Sequence, residues 1–429
     1  MSEQFKDTML NRITGGWRST DLAEFATCLS GFAFSSHGFN DESGIRLVRI
    51  RDLLGGEGDV TYFRGPFEDR YLVQDGDLLV GMDGDFNAVE WTGGRALLNQ
   101  RVCRVAPKFG NNLDARYLRH ILQPILHSIH RATPQTTVRH LTAKALLAFP
   151  VVLPPYPEQR RIAEILDTVD DAIRQTERVI AKLEQVKAGM LHDLLTRGID
   201  GNGEVRDPER HPEQFKDSPL GRIPKGWSVR ALATLASEIT SGATPTSGST
   251  RYYCAAGGLP FAKIDDLTAS ATRFIGQTAL QVTRVALRET ALVEYPAGTL
   301  LLSMYGTIGL VKTTVRPMCA NQALAALVPP FDCDSAFLAH VLEWCRPKWD
   351  RFKAQTTQAN INGRIVKEFL LPVPPEPEQR RIAERLDHHQ SRLRQEAIAL
   401  EKLRATKQAL ADDLLTGRVR VNTREAVPA

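Results

Sequence analysis

The chain contains LPPYPEQRRIAEILD at residues 153–167 and, 220 residues later, VPPEPEQRRIAERLD at residues 373–387. The two copies match at twelve of fifteen positions and differ only at 153, 156 and 165. A repeat of this length indicates a duplicated unit rather than a chance motif. We therefore expect two related halves, which suits a protein that acts in the same way at two places on one partner.

A helical pattern follows each copy. Apolar residues recur at steps of four and three over residues 162–194, and the same series returns 220 residues later. Polar residues break both series at equivalent steps, Thr176 with Glu396 and Lys187 with Lys407. A heptad pattern over about four repeats predicts a coiled coil, and roughly 40 residues would form a rod of about 60 Å. We expect the two helices to pair with each other; packing of each helix on its own globular domain is the alternative.

Further repeats predict a globular domain before each helix. EQFKD occurs at 3–7 and 213–217, and Gly-Trp at 16–17 and 226–227. Short β-branched runs broken by glycine predict domains that are mostly β with some α, and a polar stretch rich in Gly and Pro after the first helix predicts a linker. The predicted bounds are 1–152 for the first domain, 153–197 for the first helix, 198–226 for the linker, 227–372 for the second domain, 373–418 for the second helix and 419–429 for a C-terminal tail.

The composition is that of an ordinary globular protein, with 42% hydrophobic residues, 24% charged residues and a formal net charge of +4. This weak positive charge permits a polyanionic partner without identifying one. No run approaches about 20 uninterrupted apolar residues, and MSEQFKDTML at the N-terminus lacks the pattern of a secretory signal. The six cysteines form no CxxC pair and fit a reducing compartment. We therefore expect a cytoplasmic protein.

The repeated PPxPEQRRIAExLD segment leading into a heptad helix resembles the specificity subunit of type I restriction-modification systems. SGFAFSS at 30–36 followed by LVRIRDL at 47–53 looks like the opening of one of its target-recognition domains, and SGATPTSG at 241–248 followed by PFAKIDDL at 260–267 looks like another. DSPLGRIPKGW at 217–227 is similar to the segment that leads into a recognition domain in this family. The resemblance covers essentially the whole chain.

The resemblance implies an α+β fold, with two α/β target-recognition domains separated by two long helices that form an antiparallel coiled coil. It implies a sequence-specific DNA-binding subunit, in which each domain reads one half of an asymmetric bipartite site. The helices would set the spacer between the halves and dock two methyltransferase subunits, and restriction subunits with motor and nuclease activity would join that core. The chain itself would have no catalytic centre and would bind no metal or cofactor, since S-adenosylmethionine, ATP and Mg are expected on the partner subunits.

Loop residues of both domains are candidates for DNA contact. Arg and Lys suit guanine, Asn and Gln suit adenine, and Ser, Thr and Lys also hold phosphates. The polar run QTTQANING at 355–363 ends in glycine and suits a loop that enters a groove. The alternative is that these loops are simply solvated and that Arg49 and Lys263 are structural partners of Asp52 and Asp266. The candidates are Ser35, Ser36, Arg49, Arg51, Gln135, Thr136, Thr137, Arg139 and His140 in the first domain, and Ser241, Thr244, Thr246, Lys263, Tyr305, Gln355, Thr356, Thr357, Gln358, Asn360 and Asn362 in the second.

Other charged or motif-like residues favour a role without catalysis. Four arginines near the helix starts (Arg160, Arg161, Arg380 and Arg381) suit contact with phosphate or a methyltransferase, or a solvated face. LPPY at 153–156 lacks the Asp or Asn that begins the Asp/Asn-Pro-Pro-Tyr motif of adenine methyltransferases, and the chain has no GxxxxGK[ST] phosphate loop. Asp83-Gly84-Asp85 fits a turn better than a metal site, and the default for three spaced histidines is a place on a helix surface rather than zinc binding. These histidines are His120, His127 and His130.

Two functions from other classes remain as alternatives. One is a coiled-coil adaptor with two lobes that binds only proteins, which would show no salt-dependent affinity for DNA, whereas phosphate contacts make DNA affinity fall steeply with salt. The other is a self-contained nuclease, which would cleave plasmid DNA without partners.

Overall fold

The computed structural model of the protein divides into two compact units. Unit 1 comprises Met1–Glu177 and Ile398–Ala429, and unit 2 comprises Arg178–Ala397. Each unit therefore holds one globular domain and part of each long helix. EQFKD at 3–7 lies outside the described part of the chain. The structure describes residues 16–54, 59–110, 112–133, 139–349 and 361–422.

Two of the α-helices in the described residues are long, with 41 and 40 residues, and they begin within the repeated motif. Pro157 and Pro377 stand in their first turns, where the missing N–H costs no intrahelical hydrogen bond. In chain order the helices are α1 Ile50–Leu53, α2 Ala115–Ala132, α3 Ala143–Leu147, α4 Tyr156–Thr196, α5 Ile264–Ala269, α6 Arg284–Glu289, α7 Ser335–Trp344, α8 Gly363–Glu368 and α9 Glu376–Leu415.

The strands are short, as the glycine-broken apolar runs predict. They are β1 Arg18–Asp21, β2 Ala26–Ser30, β3 Phe39–Asn40, β4 Ile45–Val48, β5 Tyr62–Phe63, β6 Leu72–Val73, β7 Leu78–Gly81, β8 Ala88–Glu90, β9 Ala96–Leu98, β10 Val102–Pro107, β11 Pro150–Leu153 and β12 Phe215–Lys216. They continue with β13 Ile223–Pro224, β14 Ser228–Ala231, β15 Ala236–Ser241, β16 Tyr253–Cys254, β17 Leu259–Ala262, β18 Phe274–Ile275, β19 Gln281–Val282, β20 Leu300–Ser303, β21 Val311–Thr314, β22 Cys319–Ala320, β23 Leu324–Phe331 and β24 Leu370–Val373.

The globular domain of unit 1 contains two sheets and a strand pair. The order β2-β10-β7-β8 is antiparallel throughout, whereas β3-β5-β4-β9-β6 contains the parallel pair β4 with β9. β1 pairs with β11, which leads into the repeated Pro-Pro. The helix α2 covers this domain, and the side chain of Asp114 caps its N-terminus by accepting from the N–H groups of Arg116 and Tyr117.

The globular domain of unit 2 follows the same plan. Its first sheet has the order β15-β23-β20-β21-β18, and its second sheet, β16-β19-β17-β22, contains the parallel pair β17 with β22. β14 pairs with β24, which again leads into Pro-Pro. The segment 198–226, predicted as a linker, contains the small hairpin of β12 and β13.

A glycine at the end of an outer strand is required in both domains. A Cβ on Gly31 would lie 2.0 Å from the carbonyl oxygen of Asn99, and a Cβ on Gly242 would lie 2.1 Å from that of Ala320. No side chain fits at such distances. At this point the chain that leaves the outer strand of one sheet passes close to the end of a strand in the second sheet of the same domain. The shared requirement supports a common origin of the two domains.

The two long helices contact each other in both units, and the contacts of unit 1 show the expected antiparallel orientation. In unit 1, Lys407 Nζ of α9 lies 2.6 Å from Asp170 Oδ1 of α4, and Arg404 Nη2 lies 2.9 Å from Glu177 Oε1. The numbering falls along one helix as it rises along the other. In unit 2, His389 Nε2 lies 2.8 Å from the carbonyl oxygen of Leu183.

The first turns of each helix instead pack on the globular domain of their own unit. Ile162 and Leu166 of α4 are fully buried in the core of unit 1, and Ile382 of α9 is fully buried in the core of unit 2. Packing of each helix on its own globular domain, the alternative to pairing, therefore holds for the helix starts. Pairing of the two long helices holds further along.

Candidate nucleic-acid interface

The glutamine of each PEQRR motif ties its helix to the neighbouring domain. The side-chain amide of Gln159 donates to the carbonyl oxygen of Pro154, and its Oε1 accepts from the N–H of Asp114, at 2.9 Å each. Gln379 makes the same two bonds, with Pro374 at 2.8 Å and with Asp334 at 2.7 Å. Because Asp114 and Asp334 cap α2 and α7, these bonds fix the direction of one helix against another.

The glutamate of the motif is a buried acceptor in both units. In unit 1, Glu158 accepts from Trp17 Nε1 at 3.0 Å and from Nε and Nη2 of Arg420 at 2.7 Å each. In unit 2, Glu378 accepts from the backbone N–H of Ile199 at 2.9 Å and from Arg206 at 2.6 and 3.1 Å. The C-terminal tail and the segment after α4 thus supply an arginine to the same place in the two units.

The aspartate that ends each repeated 15-residue segment accepts from a buried histidine. Nε2 of His120 lies 2.7 Å from Asp167 Oδ1, and Nε2 of His340 lies 2.7 Å from Asp387 Oδ1. Burial lowers the pKa of His120, and the bond to Asp167 opposes that shift only in part. Burial alone would raise the pKa of Asp387, but the bond from His340 and the charges of His340 and Arg273 hold it below its usual value.

His120 was therefore wrongly expected on the helix surface. It faces the core because its partner carboxylate belongs to a different part of the chain, which spacing within α2 does not reveal. His127 is exposed and His130 is half-buried. No group of three potential metal-binding side chains occurs in the described residues. We call the contacts made by the motif's Glu, Gln and Asp the helix anchor.

Beyond the anchor, three segments lie side by side at one edge of each domain. In unit 1, the N–H of Met82 donates to Arg101 O at 2.8 Å, and the N–H of Leu141 donates to Met82 O at 2.7 Å. In unit 2, Met304 donates to Ala323 O at 2.8 Å, and Ile361 donates to Met304 O at 2.9 Å. The same backbone arrangement therefore carries Asp83 and Arg101 in one domain and Tyr305 and Ala323 in the other. We call it the recognition edge.

Charged side chains meet at the recognition edge of unit 1. His140 Nδ1 lies 2.5 Å from Asp83 Oδ1, and Arg101 Nη1 lies 3.6 Å from the same oxygen. The neighbouring Arg139 contacts His130, with Nη1 2.8 Å from its Nε2. Asp83-Gly84-Asp85 is a turn, as expected, with φ of +76° at Gly84. Sequence reasoning placed Arg139 and His140 among the candidates but missed Arg101, although it directly follows an Asn-Gln pair.

The other candidates of the first domain lie on loops and on α1. Ser35 and Ser36 are exposed. The backbone N–H of Arg49 donates to Asp52 Oδ2 at 2.7 Å, while its guanidinium lies 5.2 Å from the ring centre of Phe39. Arg51 is exposed, and its Nη2 donates to Asp59 O at 2.5 Å. Asp52 therefore caps α1 by accepting from the backbone N–H of Arg49, and the guanidinium of Arg49 takes no part in this contact.

The recognition edge of unit 2 carries no charged group at the equivalent positions. Tyr305 is 40% exposed, and Thr244 donates a hydrogen bond to the side chain of Gln322. Ser241 and Thr246 are exposed. Asn362 caps α8 by accepting from the N–H of Ile365 at 3.0 Å. Asp266 caps α5 through the backbone N–H of Lys263, at 2.9 Å.

Eight candidates lie outside the described residues, in the two Gln-Thr-Thr loops. The helix arginines are described: Arg160 is exposed, Arg161 approaches Glu164 at 3.4 Å, Arg380 pairs with Glu376, and Arg381 donates to Gly201 O at 3.3 Å. No described helix combines the length and the hydropathy that crossing a membrane requires. The eight undescribed candidates are Gln135, Thr136, Thr137, Gln355, Thr356, Thr357, Gln358 and Asn360.

Sequence comparison assigns both halves of the chain to one kind of domain. A family model described as the type I restriction modification DNA specificity domain matches residues 15–185 and again residues 224–402. The type I restriction enzyme EcoBI specificity subunit of Escherichia coli is 27% identical over 391 residues, covering 87% of this chain and 79% of that protein. The putative type I restriction enzyme MjaX specificity subunit of Methanocaldococcus jannaschii is 24% identical over 449 residues, covering 98% of each chain.

Solved structures share the fold at low sequence identity. The crystal structure of the type I restriction-modification S subunit from M. genitalium gives a TM-score of 0.60 at 14% identity, covering 94% of this chain and 97% of that one. A chain from a structure on the assembly and conformational transition of a type I restriction-modification system gives a TM-score of 0.55 at 20% identity, covering 95% of this chain and 100% of that one.

Proposed function

The chain belongs to the type I restriction-modification DNA specificity family, and from this membership we propose that it selects the DNA sequence at which such a complex acts. Its two recognition domains each read one half of an asymmetric bipartite site. The candidate contacts are the loop residues of both domains together with the recognition edges. The bounds 1–152 and 227–372 for these domains are part of the proposal.

The observation that carries this proposal is the pair of recognition edges. Their backbones are hydrogen-bonded in the same way, but one carries Asp83, Arg101 and His140 while the other carries Tyr305 and Ala323. Side chains at base edges determine which sequence is read, whereas contacts with phosphates fix the position of the protein on the duplex. Two unlike readers on one chain support an asymmetric site, in contrast to the palindromes that homodimers read.

The long helices have a separate role in this proposal. At 41 residues, α4 is about 60 Å long, which exceeds the roughly 35 Å of one B-DNA turn. We attribute the unread spacer to this length and the docking of two methyltransferase subunits to the exposed helix faces. Restriction subunits then join. The chain contributes specificity without a catalytic centre, and S-adenosylmethionine, ATP and Mg bind to the partner subunits.

Mapping methylated adenines at base resolution tests the proposal. Cells would carry the chain with its methyltransferase subunit, and the matched control would lack only this chain. We expect a bipartite, asymmetric motif that disappears in the control. An unchanged methylation pattern, with the methyltransferase shown to be active, would contradict the proposal and favour the protein-only adaptor.

Two cheaper assays separate the alternatives. DNA titration of the full chain at two salt concentrations should show affinity that falls steeply with salt, because neutralised phosphates release counterions. An adaptor that binds only proteins would show no such dependence. Incubating the isolated chain with plasmid DNA should yield no cleavage, whereas cleavage would favour the self-contained nuclease.

A further inference from the structure

Arg101 has an unusual backbone conformation at an exposed position. Its φ is +71°, in the left-handed region that residues with a side chain rarely adopt. Within the described residues, Phe86 is the other non-glycine residue with positive φ, at +50°, and it lies in the loop that follows β7. Conformations of this kind persist where the surrounding structure enforces them, and they cluster at functional sites.

The side chain of Arg101 is accessible but oriented. It is 58% exposed, and its Nη1 lies 3.6 Å from Asp83 Oδ1 and 3.4 Å from Nδ1 of His140. Asp83 is only 22% exposed and also contacts His140 at 2.5 Å. A half-buried carboxylate therefore holds one branch of the guanidinium at the domain surface.

Stability does not account for this arrangement. An ion pair as exposed as that of Arg101 contributes little to folding, because water screens the charges and ordering the side chain costs entropy. A glycine would adopt the same φ without strain. The conformation and the pairing are better explained by what the guanidinium contacts outside the chain.

We infer that Arg101 is a specificity-determining residue that reads a guanine in the half-site of the first domain, with Asp83 as its positioning residue. Guanine presents O6 and N7 in the major groove, and an oriented guanidinium donates to both at once. Ala323 occupies the equivalent place in the second domain, so the other half-site lacks this contact. The inference rests on the proposed function and names one of its base contacts.

The test uses the full chain in complex with its methyltransferase subunits. Wild type and Arg101→Ala would compete for duplexes in which each base pair of the mapped site is varied in turn. We expect Arg101→Ala to lose about tenfold or more of the preference for one G·C pair in one half-site. The preferences in the other half-site and the salt dependence should not change. Arg101→Lys keeps the charge but not the planar fork, and should lose most of the same preference.

Two further variants control for folding and for surface charge. Arg101→Gly should lose the preference while its Tm equals or exceeds that of wild type, because glycine removes the backbone strain. Arg18→Ala, which removes an exposed arginine of β1, should leave every base preference unchanged. Asp83→Asn should weaken the same preference by less than Arg101→Ala, since the guanidinium remains.

Three outcomes would overturn the inference. Uniform weakening at all sequences with a shallower salt dependence would make Arg101 a phosphate contact. A lower Tm for Arg101→Gly together with unaltered base preferences would make it structural. If the wild-type complex discriminates no sequence at all, the proposed function fails first and this inference falls with it.

Discussion

The helix anchor and the recognition edge differ in what the duplication has kept. At the anchor, side chains are the same in both units: Glu158 and Glu378 each accept from an arginine, and Asp167 and Asp387 each accept from a histidine. At the edge, the backbone hydrogen bonds and the central methionine (Met82 and Met304) are the same, but Asp83 and Arg101 are replaced by Tyr305 and Ala323. The anchor has to hold a helix at one angle, which fixes its residues, whereas an edge that reads sequence has to vary.

The largest effect is expected from removing the anchor arginine in unit 2. Arg206→Ala leaves Glu378, only 6% exposed, with the N–H of Ile199 but without a charged partner, and should cost about 3 kcal/mol of unfolding free energy. Arg420→Ala should cost about 1–2 kcal/mol, because Arg420 is 36% exposed whereas Arg206 is 18% exposed, and water screens the more exposed pair more strongly. Hydrogen exchange of peptides from each unit would measure both.

Arg210→Ala is the matched control for Arg206→Ala, since Arg210 is 83% exposed in the same segment. It should change exchange by less than about 0.5 kcal/mol. If Arg206→Ala were no more destabilising than Arg210→Ala, the anchor would not stabilise unit 2 in the way described.

Acid should weaken the two anchors in different pH ranges. The folded pKa of His120 lies below its usual 6.5, so the unfolded state binds the proton more readily and unit 1 loses stability as pH falls below about 6.5. The folded pKa of Asp387 lies below its usual 3.8, so its contribution is complete above that value and is lost as pH falls through the lower folded value. Protection factors of each unit between pH 7 and pH 3, corrected for intrinsic exchange, would show the order.

His120→Gln keeps a donor for Asp167 but removes the titration. Unit 1 of this variant should lose less stability between pH 7 and pH 5 than unit 1 of wild type. Equal pH dependence in the two proteins would mean that His120 does not control the acid response.

The smallest effects are expected where polar residues interrupt the heptads. Lys407 lies 2.6 Å from Asp170, and Lys187 lies 3.2 Å from Glu343. Both pairs are partly exposed, so Lys407→Ala and Lys187→Ala should each cost less than about 1 kcal/mol by hydrogen exchange. A loss of about 2 kcal/mol or more for Lys407→Ala would show that its pair determines the pairing of α4 with α9, and the same loss for Lys187→Ala would show that its pair determines the packing of α4 on α7.

The sequence predicted the long helices, their pairing and the two-domain organisation, because a repeat and a heptad pattern can be read directly from the order of the residues. It did not reveal why the motif contains Glu, Gln and Asp, since their partners Arg420, Asp114 and His120 are distant in the chain. Arg101 was not among the predicted contact residues for a similar reason. Its backbone conformation and its pairing with Asp83 exist only once β7 and β10 lie side by side, and no periodicity marks them.

The central claim is that each domain reads its own half-site through its own edge. Base-resolved mapping of methylated adenines in cells carrying Tyr305→Ala with the methyltransferase subunit tests it most directly, against wild type and Tyr305→Phe. The account predicts relaxed or altered preference in one half of the motif, with the other half and the spacer unchanged. Altered preference in both halves would contradict it.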